Sequence, residues 1–187
     1  MKNKLSQKNI PKGWEIKKIK DLLDFEQPTK YIVESSNYTP DGKTPVLTAN
    51  KSFVLGYTDE TDGIYTNTPV IIFDDFTTDS KYVDFPFKIK SSAIKILKNR
   101  DESTDLKFVY EIMKSFVFPI ANHKRHYISQ YQEIEIAVPP ITEQRKIAQV
   151  LSSIDEEVQL TEQLKDGLSL LKKGLVTDLL SGKVKAK

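Results

Sequence analysis

The sequence predicts an α+β protein, with one mostly-β mixed domain followed by a long C-terminal α-helix. Up to about residue 140, short apolar and β-branched runs alternate with turn residues, which is typical of strands in a sheet. Beyond that point, apolar residues recur at steps of three and four, the period of one helical face. We therefore expect a domain over residues 1–140, a helical arm over 141–182 and a basic tail over 183–187.

The predicted domain is organised around several short strands. Order is expected from the turn at 10–14, where Pro11 and Gly13 precede a Trp14 that we expect to be buried. The unbroken apolar run Pro69–Phe73 is typical of a central strand covered on both faces. Further strands are predicted at 45–47, 51–57, 85–89, 93–97 and 134–138. Thr104 is the expected N-cap of a helix over 105–118 that packs on the sheet.

The arm is predicted from its start and stop signals and from its apolar stripe. Pro139 and Pro140 exclude helix before them, Thr142 is the expected N-cap, and Gly182 ends the helix in a left-handed conformation. A helix over 143–181 would be roughly 58 Å long. Its stripe comprises Ile147, Leu151, Ile154, Val158, Leu164, Leu168, Leu171, Leu175 and Leu179.

A stripe of this length needs a partner surface, and we expect the arm to pair as an antiparallel coiled coil. Thr161 interrupts the heptad, so the supercoil should carry a local defect. Gly167 and Gly174 each cost about 1 kcal/mol relative to alanine inside a helix. The alternatives are a helix packed back on the domain and a helical hairpin broken near Asp166 and Gly167.

Composition limits the classes of protein that remain. The 187 residues include no cysteine, which excludes disulfides and thiolate metal sites and is compatible with a reducing compartment. No apolar run approaches the ~20 residues that a membrane helix needs, and the N-terminus lacks the apolar core of a signal peptide. We expect a soluble, cytoplasmic protein without a membrane partner.

Charge is nearly balanced overall but unevenly distributed. The net charge is +2, whereas residues 81–100 carry six bases and one acid, which is compatible with a basic side. Residues 59–79 carry six acids and no base.

Catalytic motifs are absent from the sequence. The glycines form neither a dinucleotide-binding nor a triphosphate-binding loop. Asp74 and Asp75 follow an apolar strand and could bind a divalent cation, but they could equally accept hydrogen bonds from backbone N–H groups in a turn. His123 and His126 lack an evident third zinc ligand. The chain is therefore predicted to be non-catalytic, with no cofactor of its own.

The remaining polar clusters suit nucleic-acid recognition. Residues 122–127 combine amide, imidazole, ammonium, guanidinium and phenol groups, which can contact phosphates and base edges. The turn-like segment 48–52 is similar in character. The candidate DNA-binding residues are Asn122, His123, Lys124, Arg125, Asn50 and Lys51.

Three stretches carry a resemblance to a known family: the opening at 10–14, the junction Val138–Gln144 with its Pro-Pro-x-x-Glu-Gln pattern, and the helix end at 171–184. Through them, nearly the whole chain resembles one half of a specificity (S) subunit of a Type I restriction-modification system. The segments 46–50, 73–78 and 85–87 resemble one type of target-recognition domain.

The resemblance implies a DNA-reading domain followed by a spacer helix. The usual subunit carries two of each, whereas this sequence has one set, so a homodimer would restore the missing half, unless the chain is a fragment. The resemblance also implies two modification subunits, which hold S-adenosylmethionine and methylate adenine, and a motor-nuclease subunit in the full assembly.

Two alternatives come from other functional classes. The first is a metal-dependent nuclease that uses Asp74 and Asp75, with the arm as a dimer handle. The second is an interaction protein whose helix binds a partner coiled coil.

Overall fold

The computed structural model describes residues 10–50, 52–116 and 125–184, and it confirms the α+β class. The helices are α1 (Ile19–Leu22), α2 (Leu106–Lys114) and α3 (Ile141–Leu180). The strands are β1 (Glu15–Lys18), β2 (Leu23–Glu26), β3 (Thr44–Leu47), β4 (Val54–Thr58), β5 (Val70–Asp74), β6 (Ser80–Val83), β7 (Lys88–Ile89), β8 (Ile94–Asn99) and β9 (Glu135–Val138).

The strands form three sheets. The largest has the order β2-β8-β5-β6 and is antiparallel throughout. In a second sheet β3 lies between β4, to which it is antiparallel, and β7, to which it is parallel. The third pairs β1 with β9, so that the start of the domain is joined to the strand that leads into α3.

Strand β5 is central, as its apolar run predicted, because both of its faces are covered. Alternate side chains point to opposite faces of a strand, so Ile71 and Phe73 enter a core that includes α2, β9 and the start of α3. Val70 and Ile72 enter a second core shared with β3 and β7. These four side chains have no exposed surface, which explains the absence of polar alternation in this strand.

Both predicted helix caps are wrong by one or two residues. The N-cap of α2 is Asp105, whose carboxylate accepts a hydrogen bond from the Phe108 N–H at 2.9 Å, whereas Thr104 is buried. Helix α3 begins at Ile141, and the Pro140 carbonyl accepts the first helical hydrogen bond from Gln144. Thr142 therefore lies exposed inside the first turn. Trp14, expected to be buried, is half-buried.

Helix α3 runs without interruption for 40 residues, or about 60 Å. The alternative of a helical hairpin broken near Asp166 and Gly167 is therefore wrong. Gly182, with φ of +72°, follows the helix in the left-handed conformation that was expected to end it.

The chain divides into two compact units after Ala148. The first two turns of α3 belong to the domain, where Ala148 is buried and Ile147 packs against the core. Every leucine, isoleucine and valine of α3 from Val150 onward is exposed. Among the described residues, no helix combines the length and the apolar character needed to cross a lipid bilayer.

Candidate nucleic-acid interface

Four segments that are distant in sequence meet where β3, β5 and β7 end and β8 begins. The Lys90 N–H donates to the Leu47 carbonyl at 3.0 Å, which joins the end of β7 to the end of β3. The Asp75 N–H donates to the Ala93 carbonyl at 2.9 Å, which joins the end of β5 to the start of β8. We call this region the loop edge; its described segments are residues 48–50 and 52–53, 74–79, 90–93 and 125–126.

The last of these segments is attached to the loop edge by Asp75. The His126 N–H donates to the Asp75 main-chain carbonyl at 2.8 Å, and the Tyr127 N–H donates to Asp75 Oδ1 at 2.8 Å. Asp75 Oδ2 lies 3.3 Å from Lys95 Nζ, and both side chains are only 2% exposed. The same ammonium lies 4.8 Å from the centre of the Phe25 ring, a favourable cation–π distance. A buried ion pair thus fixes the backbone directly after Arg125.

Aromatic packing holds the same segment from the core side. The rings of Tyr127 and Tyr131 lie 5.3 Å and 4.6 Å from the Phe73 ring, centre to centre. Burial raises the pKa of both tyrosines above the usual range, because a charged phenolate would be desolvated at these positions. Strand β5 therefore positions this segment through Asp75 at its end and Phe73 within it.

The two aspartates have structural partners, as the turn hypothesis predicted and the nuclease hypothesis did not. Asp74 Oδ1 accepts hydrogen bonds from the Phe76 and Thr77 N–H groups at 2.9 and 3.0 Å. Asp75 is neutralised by Lys95. Among the residues that the structure describes, no three histidine, aspartate or glutamate side chains cluster as metal ligands. The nuclease hypothesis is therefore not supported.

Two of the predicted DNA-binding residues are described, and the structure brings both to the loop edge. Arg125 is exposed directly before the segment held by Asp75. Asn50 is exposed in the β3–β4 loop, where its carbonyl accepts the Phe53 N–H at 3.0 Å. The other four, Asn122, His123, Lys124 and Lys51, lie outside the described residues.

The basic run at 81–100 does not form a basic side, because four of its six bases are paired. Lys88 lies 2.7 Å from Glu60 and Lys95 pairs with Asp75. At the opposite end of β8, Lys98 and Arg100 pair with acids of β2. Acids inside the domain thus neutralise four of the six basic side chains of this run.

Lys90 is a candidate contact residue that sequence reasoning missed. It is exposed at the loop edge, and no ion pair within the described part of the chain involves it. Its ammonium lies 5.3 Å from the centre of the Tyr38 ring, which holds the charge near the surface. Lys90 directly follows the predicted strand 85–89, and this position could have marked it as a loop residue. It was not singled out because five other bases lie in the same run, residues 81–100.

Gln144, the last residue of the Pro-Pro-x-x-Glu-Gln pattern, connects α3 to the domain. Its side chain is 1% exposed, and Oε1 accepts the Asp105 N–H at 2.9 Å. Nε2 donates to the Ser103 and Pro139 carbonyls at 3.1 and 2.9 Å. One amide therefore fixes the start of α3 to the start of α2. The pattern that carried the family resemblance has a structural purpose.

Residues 11–170 match the family model described as the Type I restriction modification DNA specificity domain. The chain belongs to this family. A relative in Escherichia coli, the EcoR124I/EcoR124II specificity subunit of a type I restriction enzyme, is 43% identical over 162 residues. That alignment covers 82% of this chain and 40% of the relative. The predicted family is thus confirmed.

Other members of the specificity-subunit family show the same relation in length. A putative specificity subunit of the type I restriction enzyme MjaX from Methanocaldococcus jannaschii is 26% identical, over 95% of this chain and 45% of its own length. The chain thus spans less than half the length of these two relatives. The part of the chain that the structure describes contains one mixed β domain and one long helix.

The fold is shared with solved specificity subunits. The S subunit from M. genitalium superposes with a TM-score of 0.64 at 24% identity, covering 95% of this chain and 48% of that one. The HsdS subunit from Thermoanaerobacter tengcongensis gives a TM-score of 0.54 at 16% identity, covering 91% of this chain and 45% of that one. The predicted order of a mixed β domain and a long helix is confirmed by both.

Proposed function

We propose that this chain is a non-catalytic specificity subunit that binds duplex DNA through its loop edge and reads one half-site. The loop edge carries the proposal, because its segments contain the exposed residues Asn50, Lys90 and Arg125, while the two adjacent aspartates, Asp74 and Asp75, are engaged internally. A surface with exposed cations and few free carboxylates suits a polyanionic partner.

Each of these side chains has a suitable chemistry for duplex DNA. Arginine donates two hydrogen bonds to the guanine edge, and asparagine pairs in the same way with adenine. A lysine such as Lys90 is suited to phosphate, which positions the protein without reading sequence. Asn122, His123, Lys124 and Lys51 remain proposed contacts by their sequence proximity to Arg125 and Asn50.

We further propose that two copies pair antiparallel through α3 and together read a bipartite palindromic site. The eight stripe residues from Leu151 to Leu179 are between 41% and 63% exposed, an apolar surface that a second copy would cover. An arm of about 60 Å would separate two inverted half-sites by roughly a turn and a half of duplex.

The dimer is tested by placing a charge in the stripe. Leu164→Glu should convert the dimer to monomer, whereas Gln163→Glu adds the same charge away from the stripe and should leave it intact. Sedimentation equilibrium of the purified full-length chain measures both. A monomeric wild-type chain at micromolar concentration would refute the homodimer.

An exposed leucine outside the stripe supports docking of modification subunits. Leu170 is 72% exposed and directly precedes the stripe residue Leu171, which places it about 100° round the helix from that residue. Pairing of two arms through the stripe would leave Leu170 free. We propose that Leu170 contacts the methyltransferase subunits, which would bring S-adenosylmethionine, with a restriction subunit joining the full assembly. Leu170→Glu should preserve the dimer and abolish co-purification with the modification subunit.

Methylome sequencing of cells with and without this gene tests half-site reading directly. The gene should be required for adenine methylation at a bipartite palindrome, and Arg125→Ala should abolish that pattern or change its sequence. Lys98→Ala is the control, because Lys98 is a half-exposed lysine paired with Glu26 away from the loop edge. A contiguous asymmetric site would contradict reading by a homodimer.

A further inference from the structure

The turn that joins β5 to β6 carries an exposed aromatic ring, and it is hydrogen-bonded to the segment that follows Arg125. Phe76 is 37% exposed, although most aromatic side chains in this domain are buried or half-buried. The residue before it, Asp75, accepts the His126 and Tyr127 N–H groups. The turn and the Arg125 segment are therefore attached to the same aspartate.

The turn is held in one conformation. Asp74 Oδ1 accepts two of its N–H groups, and the Thr78 N–H donates to the Asp74 carbonyl at 2.9 Å. A rigid turn loses little conformational freedom when a ligand binds, so an exposed ring at this position is well suited to make a contact.

Thr78 adopts a backbone conformation that costs energy in the free protein. Its φ is +60°, in the left-handed region that a β-branched residue rarely enters. Glycine would adopt this conformation without a side-chain clash, yet threonine stands here. Strain of this kind that persists in a native structure is a reason to look for a functional contact.

Two of the three carboxylates at this turn are engaged inside the protein. The Asp74 carboxylate is satisfied by N–H groups and the Asp75 carboxylate by Lys95, so neither presents a free charge to phosphate, whereas Asp79 is exposed. Arg125 supplies a positive charge on the segment that is hydrogen-bonded to Asp75. An apolar ring and a guanidinium at one edge suit the edge and methyl groups of bases in a groove.

We propose that residues 76–78 form a second DNA-contact element, in which Phe76 packs on a base and Thr78 contacts the same groove beside Arg125. The proposal rests on the proposed function and specifies where the chain touches its DNA. It makes the turn part of the specificity-determining surface.

The test uses the full chain with its modification subunits and a duplex that contains the site found by methylome sequencing. Fluorescence anisotropy at one stated salt concentration measures affinity for this duplex and for a scrambled duplex. The variants are Phe76→Ala, Thr78→Gly and Arg125→Ala. Tyr57→Ala is the matched control, because Tyr57 is a 36% exposed aromatic residue of β4 that belongs to none of the segments of the loop edge. Urea unfolding of each variant confirms that it is folded.

We expect Phe76→Ala to weaken binding to the target at least tenfold, with little effect on the scrambled duplex, and Tyr57→Ala to bind like wild type. Thr78→Gly should unfold at higher urea concentration and yet bind the target more weakly, a combination that a purely structural role does not produce.

If Arg125→Ala loses affinity while Phe76→Ala and Thr78→Gly retain it, the turn proposal is wrong and the proposed function stands. If Phe76→Ala loses the modification subunit instead of DNA, the turn is a protein contact and the proposal is likewise overturned. Absence of specific binding by the wild-type complex would refute the proposed function itself.

Discussion

Replacing Lys95 by methionine should destabilise this domain more than the loss of any exposed ion pair. Lys95 and Asp75 are 2% exposed, so the substitution leaves a buried carboxylate whose remaining hydrogen bond comes from the Tyr127 N–H. Removing one member of a buried pair typically costs about 3–5 kcal/mol, because the other charge stays desolvated without compensation. That is a large share of the 5–15 kcal/mol that stabilises a typical domain.

Urea unfolding of the full chain, followed by circular dichroism, measures this cost. Lys95→Met combined with Asp75→Asn removes the unpaired charge and retains an acceptor for Tyr127, so the double variant should recover to within about 2 kcal/mol of wild type. Arg100→Gln is the control, because it breaks a pair with Asp24 whose side chains are 50% and 45% exposed and should cost less than about 1 kcal/mol. A Lys95→Met cost no larger than that of Arg100→Gln would refute the reasoning.

Three further predictions follow from particular contacts. Gln144→Leu should cost about 3 kcal/mol in urea unfolding, because it leaves the buried Pro139 carbonyl and the part-buried Asp105 N–H and Ser103 carbonyl without the partner that Gln144 provides. An unchanged midpoint would contradict the role given to Gln144. The pKa of Glu60 lies below its ordinary 4.5, chiefly because of the Lys88 ammonium and then because of the N–H groups of Ser35 and Glu34. The contribution of Glu60 to the free energy of unfolding is therefore present above pH 4.5 and is lost as pH falls through the lowered pKa. Glu60→Gln should therefore make acid unfolding less steep, and an identical pH profile would count against this. Thr78→Gly should raise the free energy of unfolding by about 1 kcal/mol, since relief of strain exceeds the entropy cost of glycine, and a loss of stability would show that its φ is not strained.

The long helix and the central strand were predictable because their signals are local. Two prolines, a three-and-four apolar period and a terminal glycine delimit α3 within two residues, and an unbroken apolar run identifies β5. The caps were harder to assign, since threonine and aspartate both cap helices. Asp105 is the cap because its backbone is extended and the next residue, Leu106, is the first helical one. That position depends on the tertiary structure and not on the residue type.

The loop edge was only half predictable. Sequence chemistry selected Arg125 and Asn50, but it missed Lys90, and it suggested a basic side over residues 81–100, where four of the six bases are paired with acids. The charge of a lysine is visible in the sequence, whereas its partner is not. Lys88 and Lys95 are neutralised by Glu60 and Asp75, acids 28 and 20 residues away along the chain.

The sequence by itself determined the order of elements, the length of the arm and the family, because periodicity, turn residues and a junction pattern are properties of neighbouring positions. Only the tertiary structure decided which charges remain free and that residues 50, 76, 90 and 125 share one edge. The physical reason is that strand pairing joins distant segments through backbone hydrogen bonds, which any residue except proline can donate and which therefore leave no mark in the sequence.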